Sequence, residues 1–169
     1  MGRHDHIPVM QETPSKFEGY FDTKEIYHAL RDFLEKERHY DTSEKDFTEK
    51  KDANAYKFSC KIQGDQQFND YYKAVILYGL DVQGKLVEVE VDGKTKLLTH
   101  GKITLYMNSW IAPDYLSKRH DGALGHFLGQ LYDHFFGKKE LNECALSTVM
   151  DVGRMNSIFR QQVNSTILK

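Results

Sequence analysis

Apolar and polar residues follow two rhythms along this chain, and the switches between them mark its elements. Residues 1 to about 20 follow neither rhythm and carry Pro8 and Pro14, so they are expected to form an extended N-terminal arm. A helical rhythm opens at "DTKEIYHALRDFLEKERHY", where Ile26, Tyr27, Leu30, Phe33 and Leu34 share one face and charges occupy the other. Asp22, with Glu25 three residues later, has the spacing of a capping box, in which side chains satisfy the free amides of the first turn.

The rhythm then shortens to two. Residues 41–54 are polar, and only their centre, "KDFTEK", reads as a short edge strand. "YKFSCKI" alternates, with Tyr56, Phe58, Cys60 and Ile62 on one side and Lys57, Ser59 and Lys61 on the other. "GDQQFND" reads as a turn. "YYKAVILYGLDV" is apolar on both sides and predicts a central, well-buried strand. "LVEVEV" alternates strictly and runs into Asp92-Gly93, a strong hairpin signal.

Two registers of that hairpin compete. A two-residue loop sets Val89 against Lys96 and Glu88 against Leu97. A three-residue bulged loop sets Glu90 against Lys94, Glu88 against Lys96 and Val87 against Leu97. Matched cross-strand pairs contribute ~0.2–1 kcal/mol each, so the bulged loop is expected. "THG" predicts a second turn, after which "KITLYM" returns with Ile103, Leu105 and Met107 inward.

The last third is helical. Leu124, Phe127, Leu128, Leu131, Tyr132, Phe135 and Phe136 make one stripe that Gly137 is expected to end, and a final helix is expected over 138–167. These elements predict an α+β fold: an N-terminal helix, an antiparallel meander sheet of about five strands, and C-terminal helices packed on one face. Residues 21–169 form a single domain in this reading.

Composition narrows the function. A chain of 169 residues buries enough surface to fold without staples. The net charge of −2 supplies no global attraction to nucleic acid or anionic lipid. Two distant cysteines, Cys60 and Cys144, fit buried thiols in a reducing compartment. No apolar run reaches the length of a membrane span, the first residues lack the apolar core of a signal peptide, and His6 stands where a myristoylation motif needs Ser or Thr. A cytoplasmic protein without membrane partners is expected.

Candidate chemistry is sparse. His4, Asp5 and His6 lie in the arm, and two imidazoles alone make a weak metal site. His126 and His134 are eight residues apart, not the four that clamp an ion from successive helical turns. "DGKTK" lacks the second glycine of a phosphate loop, and no nucleophile elbow occurs. No metal or cofactor is called for, and enzymatic activity is not expected.

Interaction surfaces are better represented. Gly122, Gly125 and Gly129 recur at helical spacing, and an interior helical glycine costs ~1 kcal/mol, so another backbone is expected close by, from this chain or a neighbour. Ala145, Val149, Val152, Asn156, Phe159, Val163 and Thr166 step by four and three like a heptad seam. That seam serves either packing on the chain's own sheet or an intersubunit helix. The loop "WIAPDYLSKRHDG" sets Trp110 near Lys118 and Arg119, a basic and aromatic patch that Lys138 and Lys139 extend.

The hairpin "EVEVDGK", the strand "HGKITLY" and the helix "FLGQLYD" together resemble a group of uncharacterised small α+β proteins of archaeal, tailed-phage and environmental genomes. The likeness spans residues 17–167, and "KRHDG" departs from the Trp, acidic residue and Pro expected there. The resemblance implies a structural subunit of a virion tail, neck or baseplate, and it carries over no catalytic residues. The leading expectation is therefore a non-enzymatic structural or assembly subunit that contacts copies of itself or other virion proteins. Its contacts would come from the arm, the glycine face and the last helix. The alternative is a nucleic-acid or ribonucleoprotein-associated binding module acting through Trp110, Lys118, Arg119, Lys138 and Lys139.

Overall fold

Two strands of 20 residues each, β5 (Tyr72–Val91) and β6 (Lys94–Pro113), form the centre of the computed structural model, which describes residues 6–11, 14–113 and 137–166. Around them lie β1 (Ile7–Gln11), β2 (Ser15–Phe21), helix α1 (Thr23–Asp32) with a π-helical turn at Phe33–Glu37, β3 (Asp41–Asp52), β4 (Ala55–Gln67) and helix α2 (Lys138–Ser165). The six strands form one antiparallel sheet ordered β1-β6-β5-β4-β3, with β2 pairing β6 beside β1. The protein is thus a mixed α and β fold built on a largely meandering antiparallel sheet.

Helix placement differs from the expectation. α1 is not N-terminal, because residues 7–11 and 15–21 of the expected arm are strands paired to β6. Their signal was weak because an edge strand with one partner needs no long apolar run. Among the described residues a single C-terminal helix, α2, follows the sheet. Gly137 does not terminate a helix in left-handed geometry; it has right-handed angles (φ −60°, ψ −35°) and leads into α2.

α1 starts where the capping logic places it. The Asp22 carboxylate accepts from the amides of Lys24 and Glu25 at 3.0 and 3.1 Å, and Ile26, Leu30, Phe33 and Leu34 are buried. β3 is longer than its expected core and exposed nearly throughout, as suits a charged edge. The turn between β4 and β5 is tighter than "GDQQFND" suggested, because Asn69 Oδ1 accepts from the amides of Tyr71 and Tyr72.

The hairpin overturns the bulged register. Val91 pairs Lys94, Glu90 pairs Thr95 and Glu88 pairs Leu97 across a two-residue loop. Asp92 (φ 53°) and Gly93 (φ 71°) are both left-handed, a turn whose twist matches the strands. The deciding pairs lie further along: Leu80 faces Leu105 and Val82 faces Ile103, all buried on the same side. A one-residue slip would turn one strand's core residues to the opposite face, a loss the charge pairs near the tip cannot offset.

"THG" is no turn either, since Thr99, His100 and Gly101 lie within β6 and Gly101 sits opposite Gly84. A Cβ on Gly84 would come 2.4 Å from the His100 carbonyl oxygen, and one on Gly101 would come 2.2 Å from that of Gln83. Only glycine allows the two backbones this approach. The break in apolar pattern that resembled a turn is a close crossing inside a continuous hairpin.

One sheet face carries the core. Tyr72, Ala74, Ile76, Tyr78, Leu80 and Val82 of β5 join buried residues of β4, β6, α1 and α2 in one cluster. The opposite face exposes Lys57, Lys61, Asp81, Gln83, Lys102 and Tyr106, the one-sided solvation usual for antiparallel sheets.

Candidate functional site

α2 has most to offer a site, and its inward side is already committed. Val152, Phe159 and Val163, from the seam expected to serve either the chain's own sheet or a neighbouring subunit, are 1%, 1% and 2% exposed within the chain's own core. Of the remaining seam, Val149 is half-buried, and Asn156 Oδ1 accepts the Ser15 hydroxyl of β2 at 2.7 Å. These residues hold α2 on its sheet, so an intersubunit heptad seam is excluded for the buried three. Step-by-four-and-three spacing alone does not say whose surface fills it.

The same side of α2 buries a charge that sequence reasoning passed over. Asp151, 4% exposed, accepts the Tyr40 hydroxyl at 3.0 Å through Oδ2, and its Oδ1 lies 2.6 Å from Arg38 Nε. Arg38 Nη2 also donates to Ser147 Oγ. The π-helical turn and left-handed His39 (φ 57°) turn Arg38 and Tyr40 towards α2. Burial, then the Asp151 carboxylate, push the Tyr40 phenol well above its ordinary value, which keeps it a hydrogen-bond donor. The readable sign was an aspartate inside the buried stripe Cys144, Thr148, Asp151, Met155.

Both thiols are buried and held in the protonated form at neutral pH. Burial pushes Cys60 up to about 11, and likewise Cys144, against which the Thr148 hydroxyl works in the opposite sense. A thiol needs a lowered value to become a nucleophile or metal ligand near pH 7. Among the described residues no group of three His, Cys, Asp or Glu side chains is arranged to hold a metal ion. His6, one of the two arm histidines, packs its ring against Trp110 at 5.7 Å.

A groove of about 690 Å³ runs between the β1–β2 edge and the C-terminal half of α2. Phe17, Phe159 and Val163 form apolar wall, and Asn156, Arg160 and Asn164 border it from the helix. Its volume lies in the range of ligand clefts, but it is open along the outer edge of the sheet.

Protein-family models, curated proteins and solved structures were compared with this chain, and none matches. The chemistry of the surface therefore carries the functional reading.

The outward side of α2 shows two long apolar side chains one turn apart, Leu146 at 62% and Met150 at 66% exposure. They fall off the heptad seam, which is the only pattern the sequence showed along this helix. Of the basic and aromatic patch, Trp110 is half-buried on β6, Lys138 and Lys139 are exposed at the start of α2, and Lys139 lies 4.0 Å from Glu143. No described contact joins Trp110 to these lysines. Lys118, Arg119, Gly122, Gly125, Gly129, His126 and His134 lie outside the described residues. Among the described residues no helix is long and apolar enough to cross a membrane.

Proposed function

We propose that this protein is a non-enzymatic assembly subunit that works by docking on other protein subunits, of the kind from which the tail, neck or baseplate of a phage-like virion is built. The observation that carries the reading is the Leu146–Met150 pair. Isolated apolar residues are common on any surface, but two long ones at i and i+4 on one side of a 28-residue helix make a knob suited to a partner's hollow. Supporting it, the buried ionisable groups Asp151, Tyr40, Cys60 and Cys144 serve packing and internal pairing.

The test is the solution mass of the full-length chain by light scattering over a wide concentration range, beside a Leu146→Glu, Met150→Glu variant. Mass that rises further with concentration in the parent than in the variant, with equal circular dichroism, supports the reading. A parent and variant with the same mass at every concentration would refute the part played by this helix face.

A further inference from the structure

The two edges of the sheet are defended unequally. β3 carries eight charged residues in twelve (Asp41, Glu44, Lys45, Asp46, Glu49, Lys50, Lys51 and Asp52), and its pairing is interrupted by an irregularity between Glu44 and Asp46. Charge and bulges are how native sheets keep other strands away. β2 has neither protection in that measure: its sequence SKFEGYF holds one cation and one anion, and its pairing to β6 runs without a shift from Ser15 to Phe21. Among the described residues no strand lies on its outer side.

We infer that β2 is the seam of a homodimer, pairing antiparallel with β2 of a second copy. The inference rests on the assembly reading above and names a partner and a surface for it. A two-fold axis perpendicular to the sheet joins like strands and keeps both helix layers on one side. It also requires residues of the same face to meet, so Phe17, on the helix-bearing face, must oppose Ser15, Phe17, Gly19 or Phe21 of the second copy.

Those four registers are not equal. The first sets Lys16 against Lys16, and the third sets Glu18 against Glu18, each a like-charge contact on the solvent face. The fourth sets Glu18 against Tyr20 and gains no charge pair, whereas the second, centred on Phe17, sets Lys16 against Glu18 twice by symmetry and brings the two Phe17 rings together. Opposed charges favour cross-strand pairing and like charges disfavour it, so the sequence of the strand selects one register out of four.

The surroundings allow this geometry. Lys16 makes no ion pair among the described residues, and Glu18, though 3.7 Å from Lys102, keeps its side chain 72% exposed. On the helix side, the groove along the β2 edge leaves room beside Phe17, Phe159 and Val163 for the partner's aromatic ring. Pairing would close that open cleft with apolar surface and give the unpaired edge amides and carbonyls their partners.

The experiment is sedimentation equilibrium of the full-length protein in the Leu146→Glu, Met150→Glu background, which separates this seam from the α2 face. A monomer–dimer equilibrium is expected to persist there. Lys16→Glu alone, or Glu18→Lys alone, turns both cross-pairs into like-charge pairs and should weaken the dimer roughly tenfold or more. The double exchange Lys16→Glu, Glu18→Lys recreates opposed pairs with the signs swapped and should restore the dimer. A strict monomer in this background overturns the seam and leaves the α2 reading intact. A dimer that ignores the single substitutions, or one the double exchange fails to restore, overturns it equally. Circular dichroism of each variant shows that a lost dimer is not a lost fold.

Discussion

Tyr40 and Tyr78 are both nearly fully buried, at 3% and 1% exposure, and the same substitution to phenylalanine should act on them in opposite directions. The Tyr40 hydroxyl donates to a buried carboxylate whose other oxygen faces Arg38. Hydrogen bonds to charged groups contribute about 1.5–3 kcal/mol, and loss of one partner leaves the other desolvated, so Tyr40→Phe should cost about 2 kcal/mol. The Tyr78 hydroxyl has no hydrogen-bond partner among the described residues and already carries its desolvation cost. Its removal keeps the ring and the packing, so Tyr78→Phe should be neutral or stabilising by up to about 1 kcal/mol. Urea unfolding followed by fluorescence reads both. With a slope of about 2 kcal/mol per molar, the Tyr40 variant should lose about 1 M in midpoint at unchanged slope. A cycle with Asp151→Asn should show that the Tyr40 effect is coupled to that carboxylate. Equal losses at the two positions would refute the reasoning, since ring packing and not the buried pair would then set the cost.

The alkaline limb of stability should have a definite sign. Cys60 and Cys144 rise from 9.0 to about 11 on folding, so their contribution is complete below the unfolded value and is lost as pH climbs from about 9 to about 11. Tyr40, Tyr56 and Tyr78, also raised chiefly by burial, act in the same direction at higher pH. Unfolding midpoints measured over that window should fall, and a Cys60→Ala, Cys144→Ala variant should fall less steeply. The glycines offer a contrast. Gly84→Ala or Gly101→Ala forces Cβ into a carbonyl oxygen and should destabilise by roughly 3 kcal/mol or more. Gly153→Ala on α2, where nothing lies within 4 Å, should stabilise by up to about 1 kcal/mol. Thermal melts of the three variants decide it.

Local chemistry was legible in the chain wherever one residue's own backbone settled the matter. Asp22 caps α1 because a carboxylate two or three residues before free amides reaches them without help. Tyr56, Phe58, Cys60 and Ile62 point inward because alternation is a property of any strand. Asp92-Gly93 turns because both residues tolerate left-handed angles. What depends on distant partners was not legible. The hairpin register is set by Leu80, Val82, Ile103 and Leu105 at a distance from the loop, so pairs near the tip misjudged it. Gly84 and Gly101 read as breaks because their need for each other exists only once two strands cross. The apolar seam of α2 looked the same whether a sheet or a second subunit was to cover it; tertiary packing gave Val152, Phe159 and Val163 to the core. It left Leu146 and Met150 outside. Asp151 shows the same division most plainly: the sequence contained the charge, and only the fold brought Tyr40 and Arg38, more than a hundred residues away, to make its burial tolerable.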